Sequence, residues 1–522
     1  MNLLRTSLLT SPPSPLSQRE GELDLVSSSK ELEAIPPSLW ERGLGGEASR
    51  LLVLLLLAIL GSCQTTKPVA IPHTAPVPAT FGKGTTTDTA SIGTLPWRQF
   101  FNDPNLVALL DTAVRANPDL LIAVQRVEIA SANVQVSRGA LLPSVSANAT
   151  ASFDRFATLS GTGYNSTNDG RVLPTVAPDY FLGLRSAWEI DLWGKLRNRK
   201  QAAFARLLAS EQGRRLVETA LVGQVAHLYY DLLALDNELD VLSKNDTLQA
   251  RALEIVKLQK LGGRATELAV LQFQAQLLRT RSLEAETQQR IVAAENQLNR
   301  LLGRYPQPIK RGAPLRDQKL PEFVSAGLPA TMLLRRPDVR QAELELVANR
   351  ADVAAARAAF LPALTLSPYL GVNAYQPSLL LSTPGSLAYG LLAGLSAPLI
   401  NRNFLKASYR QAAAEQRAAY LRYHQAMQTG FEEVTTSLRG LDNYQKAHEL
   451  RRQEVVSLNE AVAVSNDLYR ASYANYLEVV TAQRSVLEAE LNLTSIRREQ
   501  FLLLIDLYRA LGGGWTAAEV SE

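Results

Sequence analysis

Few side chains in this 522-residue chain are placed to do covalent or acid–base chemistry. Its one cysteine, Cys63, ends the run "LLVLLLLAILGSCQ" over residues 51–64. A lone thiol excludes an internal disulfide framework, and His73, His227, His424 and His448 show no Cys/His or HExxH spacing that would hold a metal. Each histidine reads as a surface or packed side chain. No Ser/His/Asp set, carboxylate pair or phosphate loop stands out, and the isolated carboxylates read as solvated helix faces. No catalytic residue, metal site or cofactor is expected, so the chain is read as no enzyme. With 54 Lys+Arg against 50 Asp+Glu and no long basic tract, nucleic acid is not an expected partner.

The chemistry left to Cys63 is attachment to lipid. Leu51–Leu60 is too short to span a bilayer but has the length of a signal-peptide core, with Arg50 as the positive residue before it. Leu60, Gly61, Ser62 and Cys63 resemble the bacterial lipobox, in which cleavage just before the cysteine leaves it to carry acyl chains. Three such chains exceed the two anchoring signals that stable attachment needs. Gln64 is not the aspartate that resembles an inner-membrane retention signal, which favours the outer membrane. Residues 1–49 are rich in Pro, Ser and Gly and read as a non-native or unstructured extension. They suggest a mis-called start, with the true one at a non-methionine codon near Ser49–Leu51. Residues 64–95, rich in Thr, Pro and Ala, read as an extended tether.

The elements that would position a function come in an internal repeat. "NPDLLIAVQRVEIASANVQVSRGALLP" (Asn117–Pro143) and "RPDVRQAELELVANRADVAAARAAFLP" (Arg336–Pro362) both open Pro-Asp and close on an apolar residue and proline. Each reads as a helix stopped before an extended segment. "SAWEIDLWGKLRN" (Ser186–Asn198) then matches "SAPLINRNFLKAS" (Ser396–Ser408). The shift falls from 219 to 210, which puts about nine extra residues, expected as a loop, between Pro143 and Ser186. Two alternating segments lie between the anchors of each half. Val145, Ala147, Ala149, Ala151 and Phe153 alternate with polar residues over Ser144–Asp154, and over Tyr180–Asp191 the even positions Tyr180, Leu182, Leu184, Trp188 and Ile190 are apolar while Arg185, Glu189 and Asp191 lie on the other face. The second half is weaker, with Leu364, Leu366, Leu370 and Val372, then Tyr389, Leu391, Leu395 and Leu399. Such segments fit transmembrane strands with one face to lipid. Four strands are too few to close a membrane barrel, so several chains must contribute.

The remainder reads as long helix. No proline lies between Phe181 and Tyr305 or after Pro398, and Leu207, Val217, Leu221, Val225, Leu228, Leu232, Leu235, Leu239 and Leu242 follow 3–4 spacing. Lys195 to Lys260 would extend on the order of 100 Å. Gly262–Gly263 in "KLGGRATEL" marks a reversal, and a second rod returns to Leu302. The second half has a rod from about Asn403 to Tyr469, a turn at "RASYANY" and a return to Leu511.

Helix, two strands and two long helices, given twice, with "LPWRQFFNDPNLVALLDTAVRANPDL", "LPATMLLRRPDVRQAE", "WEIDLWGKLRN" and "LYRALGGGW", resemble the TolC-type outer-membrane efflux proteins. Within them the chain is most similar to the lipid-anchored branch serving resistance-nodulation-division pumps, over about Leu95–Trp515. The resemblance implies a mainly α fold with transmembrane β: long α-helical hairpins forming a periplasmic barrel, and four strands per chain entering a trimeric twelve-stranded outer-membrane barrel. It implies a homotrimer, a periplasmic adaptor, an inner-membrane pump and outer-membrane lipid as partners. The mechanism would be conduction. The expected organisation is an extension (1–49), signal peptide (50–62), tether (63–95), first repeat (96–320), second repeat (321–515) and tail (516–522).

The helix turns, Leu261, Gly262, Gly263 and Arg264 in the first half and Ser472, Tyr473, Ala474 and Asn475 in the second, resemble the family's adaptor-contacting tips; each also reads as a plain reversal. The resemblance puts a periplasmic gate around the last hairpin, with Tyr469 at the family's tyrosine and Glu478 at its inner acid. Ala474 falls where an arginine would be and Thr481 where a second aspartate would be, so the usual salt-bridge lock looks incomplete. A ring of Glu478 carboxylates would attract cations; a Glu on a solvated helix face is the plainer reading. The same fold also serves as a type I protein-secretion duct, and a periplasmic coiled-coil scaffold lipoprotein without a pore is a further alternative.

Overall fold

A computed structural model describes residues 69–515 apart from 73–75, 77, 79, 82–90, 156–176, 321–328, 399–401 and 472. Cys63, the signal peptide, most of the tether and Ser472 therefore lie outside the described residues.

Each half is built on the same plan. The first runs through α1 (Trp97–Phe100), α2 (Pro104–Ala116), α3 (Pro118–Gly139), β1 (Ser144–Asp154), β2 (Ala177–Ile190), α4 (Lys195–Leu261) and α5 (Glu267–Leu301). The second runs through α6 (Pro329–Arg335), α7 (Pro337–Ala358), β3 (Ala363–Ala374), β4 (Leu387–Ser396), α8 (Arg402–Arg470) and α9 (Tyr476–Ala510). α3 and α7 are both 22 residues, the outgoing rods α4 and α8 are 67 and 69, and the return helices α5 and α9 are both 35. At about 1.5 Å per residue the rods extend ~100 Å and the return helices about half that. Beside α4, α7 covers the end nearer the strands, where Ala202 and Ala205 meet Ala348 and Ala351 in an all-alanine contact. α5 packs along the other end, with Phe273 and Leu277 against Leu253 and Val256.

Glycine sets where the helices stop. At the end of α4, Gly263 takes φ +70°, its N–H bonds the Lys260 carbonyl (3.0 Å), and Arg264 N–H reaches Gln259 O (2.8 Å). Gly303 (φ +66°) ends α5 in the same way, with Gly303 N–H to Arg300 O (3.1 Å) and Arg304 N–H to Asn299 O (3.1 Å). Both are left-handed caps that satisfy the last carbonyls. The principal core lies midway along the rods. Trp97, Leu106 and Leu110 of the two short helices pack there on Tyr229, Tyr230, Leu232, Phe501 and Tyr508. Buried Asp103 accepts from Tyr229 Oη (2.6 Å), and the same hydroxyl accepts from Gly312 N–H (2.8 Å).

The strands form one antiparallel sheet in the order β1-β2-β3-β4. β1 has the bounds that alternation predicts, whereas β2 stops at Ile190 rather than Asp191. Asp191 turns away to accept from Leu196 N–H (3.1 Å) and Arg197 N–H (2.8 Å), capping α4. β4 ends at Ser396, before Pro398, and Leu399 lies outside the described residues. The β1–β2 connection lies between strands ending at Asp154 and starting at Ala177, so the loop expected of the extra residues falls almost wholly outside the described residues.

Register aligns the alternation across all four strands. Ala147, Leu184, Leu370 and Tyr389 stand opposite one another, as do Ile190, Leu364 and Leu395. Directly opposed residues share a face, so one face is apolar except for Ser186, which stands opposite Val145, and its Val145, Phe153, Leu184, Leu370, Tyr389 and Leu395 are exposed. Ser146, Asn148, Arg185, Glu189, Thr365 and Asn373 occupy the other face. There Arg185 lies 4.6 Å over the Phe181 ring, and Asn373 donates to Asp179 (2.8 Å). No helix among the described residues is long and apolar enough to cross a membrane.

Candidate functional site

The two hairpins come together at their tips. Leu253 and Val256 of α4, Ala269, Val270, Phe273 and Leu277 of α5, and Val479 of α9 form one buried cluster, and Tyr469 and Tyr476 pack against it. Through this cluster the last turn of α8 leans on the last turn of α4. Tyr469 Oη donates to Gln259 Oε1 at 2.6 Å, joining the ends of the outgoing rods, and burial raises the phenol's pKa.

Glu478 is placed differently. It is the third residue of α9, whose N-cap Asn475 accepts from Leu477 N–H (2.9 Å) and Glu478 N–H (3.3 Å). A carboxylate in a first helical turn is favoured by the helix dipole, which gives Glu478 a local structural role besides any electrostatic one. Its side chain is exposed and forms no ion pair among the described residues. The structure thus brings Tyr469 to Gln259 rather than to Glu478. Gln259 was not singled out by sequence reasoning, because a neutral amide in the last turn of a helix carries no charge or spacing signal. Its one positional cue is that it lies three residues before Gly262.

The turns themselves are exposed. Leu261 and Tyr473 are each 85% accessible, and no atom lies within 4 Å of a Cβ built on Gly263. Gly262, Arg264 and Asn475 are exposed as well, and Ala474 is half-buried. Lys260 pairs with Glu267 across the first turn, and Thr266 Oγ1 caps α5 by accepting from Ala269 N–H (3.2 Å). Leu258, Leu268 and Leu477 add exposed apolar surface to this end. Away from the tips, His227 faces Asp506 at 3.3 Å, and burial together with Arg497 lowers the pKa of His448. Among the described residues no three potential metal ligands converge.

A sheet apolar over nearly all of one face, carried on paired rods of this length, defines a duct-like outer-membrane protein. The model of the outer membrane efflux protein family matches residues 109–304 and 328–513, one segment in each half, and the chain belongs to that family. It is 31% identical to the solvent efflux pump outer membrane protein SrpC of Pseudomonas putida, covering 90% of this chain and 99% of that one. It is 29% identical to a Salmonella typhimurium protein named "Probable outer membrane lipoprotein SilC", over 89% of this chain and 99% of the other. Among solved structures it is similar to the open state of the MtrE outer membrane channel of Neisseria gonorrhoeae, at 27% identity and a TM-score of 0.74, covering 86% of this chain and 98% of that chain. The family is one of efflux proteins rather than enzymes, and the protein acts in efflux at the outer membrane. Both halves of the repeat fall within the match.

Proposed function

We propose that this protein is the exit duct of a three-component efflux assembly, a homotrimer that carries small molecules from an inner-membrane pump of the resistance-nodulation-division class and a periplasmic adaptor out of the cell. The observation that carries this reading is the sheet. One face is apolar but for Ser186 and largely exposed, and among the described residues β1 and β4 each leave an edge without a partner. Unpaired backbone groups are too costly in hydrocarbon to remain bare. Three copies joined edge to edge would close a barrel of twelve strands, apolar outside and polar within.

The rods then extend the duct into the periplasm, and the exposed hairpin ends, Leu261–Arg264 and Tyr473–Asn475, are the surface offered to the adaptor. Cys63 carries acyl chains that hold each protomer to the membrane beside the barrel. Support for that anchor comes from the Leu60–Cys63 motif and from the lipoprotein name of the Salmonella relative. At the periplasmic end, the Tyr469–Gln259 bond holds the second hairpin against the first, and Glu478 sets the field at the entrance. Removing the bond with Tyr469→Phe should shift the balance between closed and open tips by about 1 kcal/mol per chain. Single-channel recording in planar bilayers tests both assignments. Tyr469→Phe should increase the time spent at high conductance, and Glu478→Ala should reduce cation selectivity. If both variants record like the unaltered protein, the gate assignment fails; if the unaltered protein forms no channel, the duct itself does.

A further inference from the structure

Below the apolar face of the sheet the surface changes in the same way in both halves. Exposed Leu142, Trp188, Leu192, Trp193, Leu395 and Phe404 border the strand ends. Two of these rings are held in place: Trp188 Nε1 donates to Leu141 O (3.0 Å) and Trp193 Nε1 to Pro362 O (2.8 Å). Next come bases from three elements: Arg138 at the end of α3, Lys195, Arg197, Arg199 and Lys200 at the start of α4, and Lys406 and Arg410 at the start of α8. The nearby acids are already engaged, Glu189 with Lys195 and Asp191 with Arg197. Arg138, Arg199, Lys406 and Arg410 are exposed, and none forms an ion pair among the described residues; half-buried Lys200 forms none either.

At the starts of α4 and α8 the placement does nothing for the helices that carry it. A helix start favours acids, yet the first turns of both α4 and α8 contain none. The unpaired bases of α4 and α8 lie within about 12 Å of the helix starts at ~1.5 Å per residue, on the order of a Debye length from the strand ends. Aromatic residues followed by bases form the profile of a membrane interface with an anionic surface.

We propose that this rim binds the headgroups of anionic glycerophospholipids in the periplasmic leaflet of the outer membrane. Arg199, Lys200, Lys406 and Arg410 meet the phosphates, and Trp188, Trp193 and Phe404 sit at the glycerol level. The inference rests on the sheet spanning the membrane, and its two supports are charge complementarity and continuity with the apolar face.

The test equilibrates the detergent-purified full-length protein with an equimolar mixture of phosphatidylglycerol and phosphatidylcholine and measures the lipid that copurifies by mass spectrometry. We expect about fivefold enrichment of phosphatidylglycerol, the factor set by bases near an anionic surface, and its decline at high salt. The combined Arg199→Gln, Lys200→Gln, Lys406→Gln and Arg410→Gln variant should lose the enrichment, and the charge-conserving Arg199→Lys, Arg410→Lys variant should keep it. Enrichment absent from the unaltered protein, or unchanged in the neutralised variant, overturns the proposal. Unchanged enrichment with altered ion selectivity would instead put these bases in the pore. Channel formation in planar bilayers separates the two levels: a protein that forms no channel overturns the membrane reading and the rim with it, whereas a conducting protein without enrichment overturns the rim alone.

Discussion

Arg336, from the "RRPDVRQAE" stretch, shows what single side chains contribute here. It is 5% exposed and donates to Asp338 (2.6 and 3.0 Å), Glu433 (2.7 Å) and the carbonyl of Ala510 (3.0 Å). One guanidinium thus ties the start of α7 to α8 and to the end of α9. Arg336→Ala would take a donor from the Ala510 carbonyl and from half-buried Asp338 and Glu433, which keep Val339 N–H and Arg509, and we expect a loss of about 3 kcal/mol in urea unfolding of the detergent-solubilised protein. Lysine should rescue little, because the fork to Asp338 needs two parallel donors. The sequence marks this stretch as distinctive, but not that its arginine is buried, since Glu433 and Ala510 are remote in the chain. Gln259 was illegible for a similar reason: its meaning depends on a tyrosine 210 residues away. Cys63 is the opposite case, a residue whose chemistry is written in its immediate neighbours. Cys63→Ala should abolish palmitate incorporation in growing cells, and labelling that survives the substitution would remove the lipoprotein assignment.

Among the elements, two glycines with the same local role differ in what surrounds them. Gly263 and Gly303 both end helices with positive φ, but a Cβ on Gly263 meets open space, whereas one on Gly303 would lie 2.2 Å from the Ala116 carbonyl oxygen. Gly263→Ala should therefore cost about 1 kcal/mol, and Gly303→Ala about 3 kcal/mol or more, because the backbone where α2 meets α3 must move. Thermal unfolding of the two variants side by side checks the order, and equal losses would contradict it. Helices and strands were largely legible because each carries its own period. The alternation over Ser144–Asp154 sets β1 to the residue, and the double glycine locates the first tip. The belt midway along the rods was not legible. Its contacts, such as Tyr508 Oη to the Leu95 carbonyl (2.6 Å), join residues 413 apart, and apolar residues in short helices do not announce their partners.

For the molecule as a whole, the central feature is a sheet that no single chain can complete. Its apolar face is exposed and, among the described residues, its two edges are free, while the interior of the same chain is well packed around Tyr229 and Tyr508. Alternation in the sequence showed that lipid-facing strands were present, and arithmetic on their number showed that one chain was not enough. How the copies meet involves surfaces whose partner is another chain, and no pattern within one sequence specifies those. The most direct measurement is single-particle imaging of the membrane-extracted, detergent-purified protein. The account predicts a threefold tube, with a twelve-stranded barrel above a helical cylinder on the order of 100 Å long. A monomeric rod with an open four-stranded sheet would contradict it.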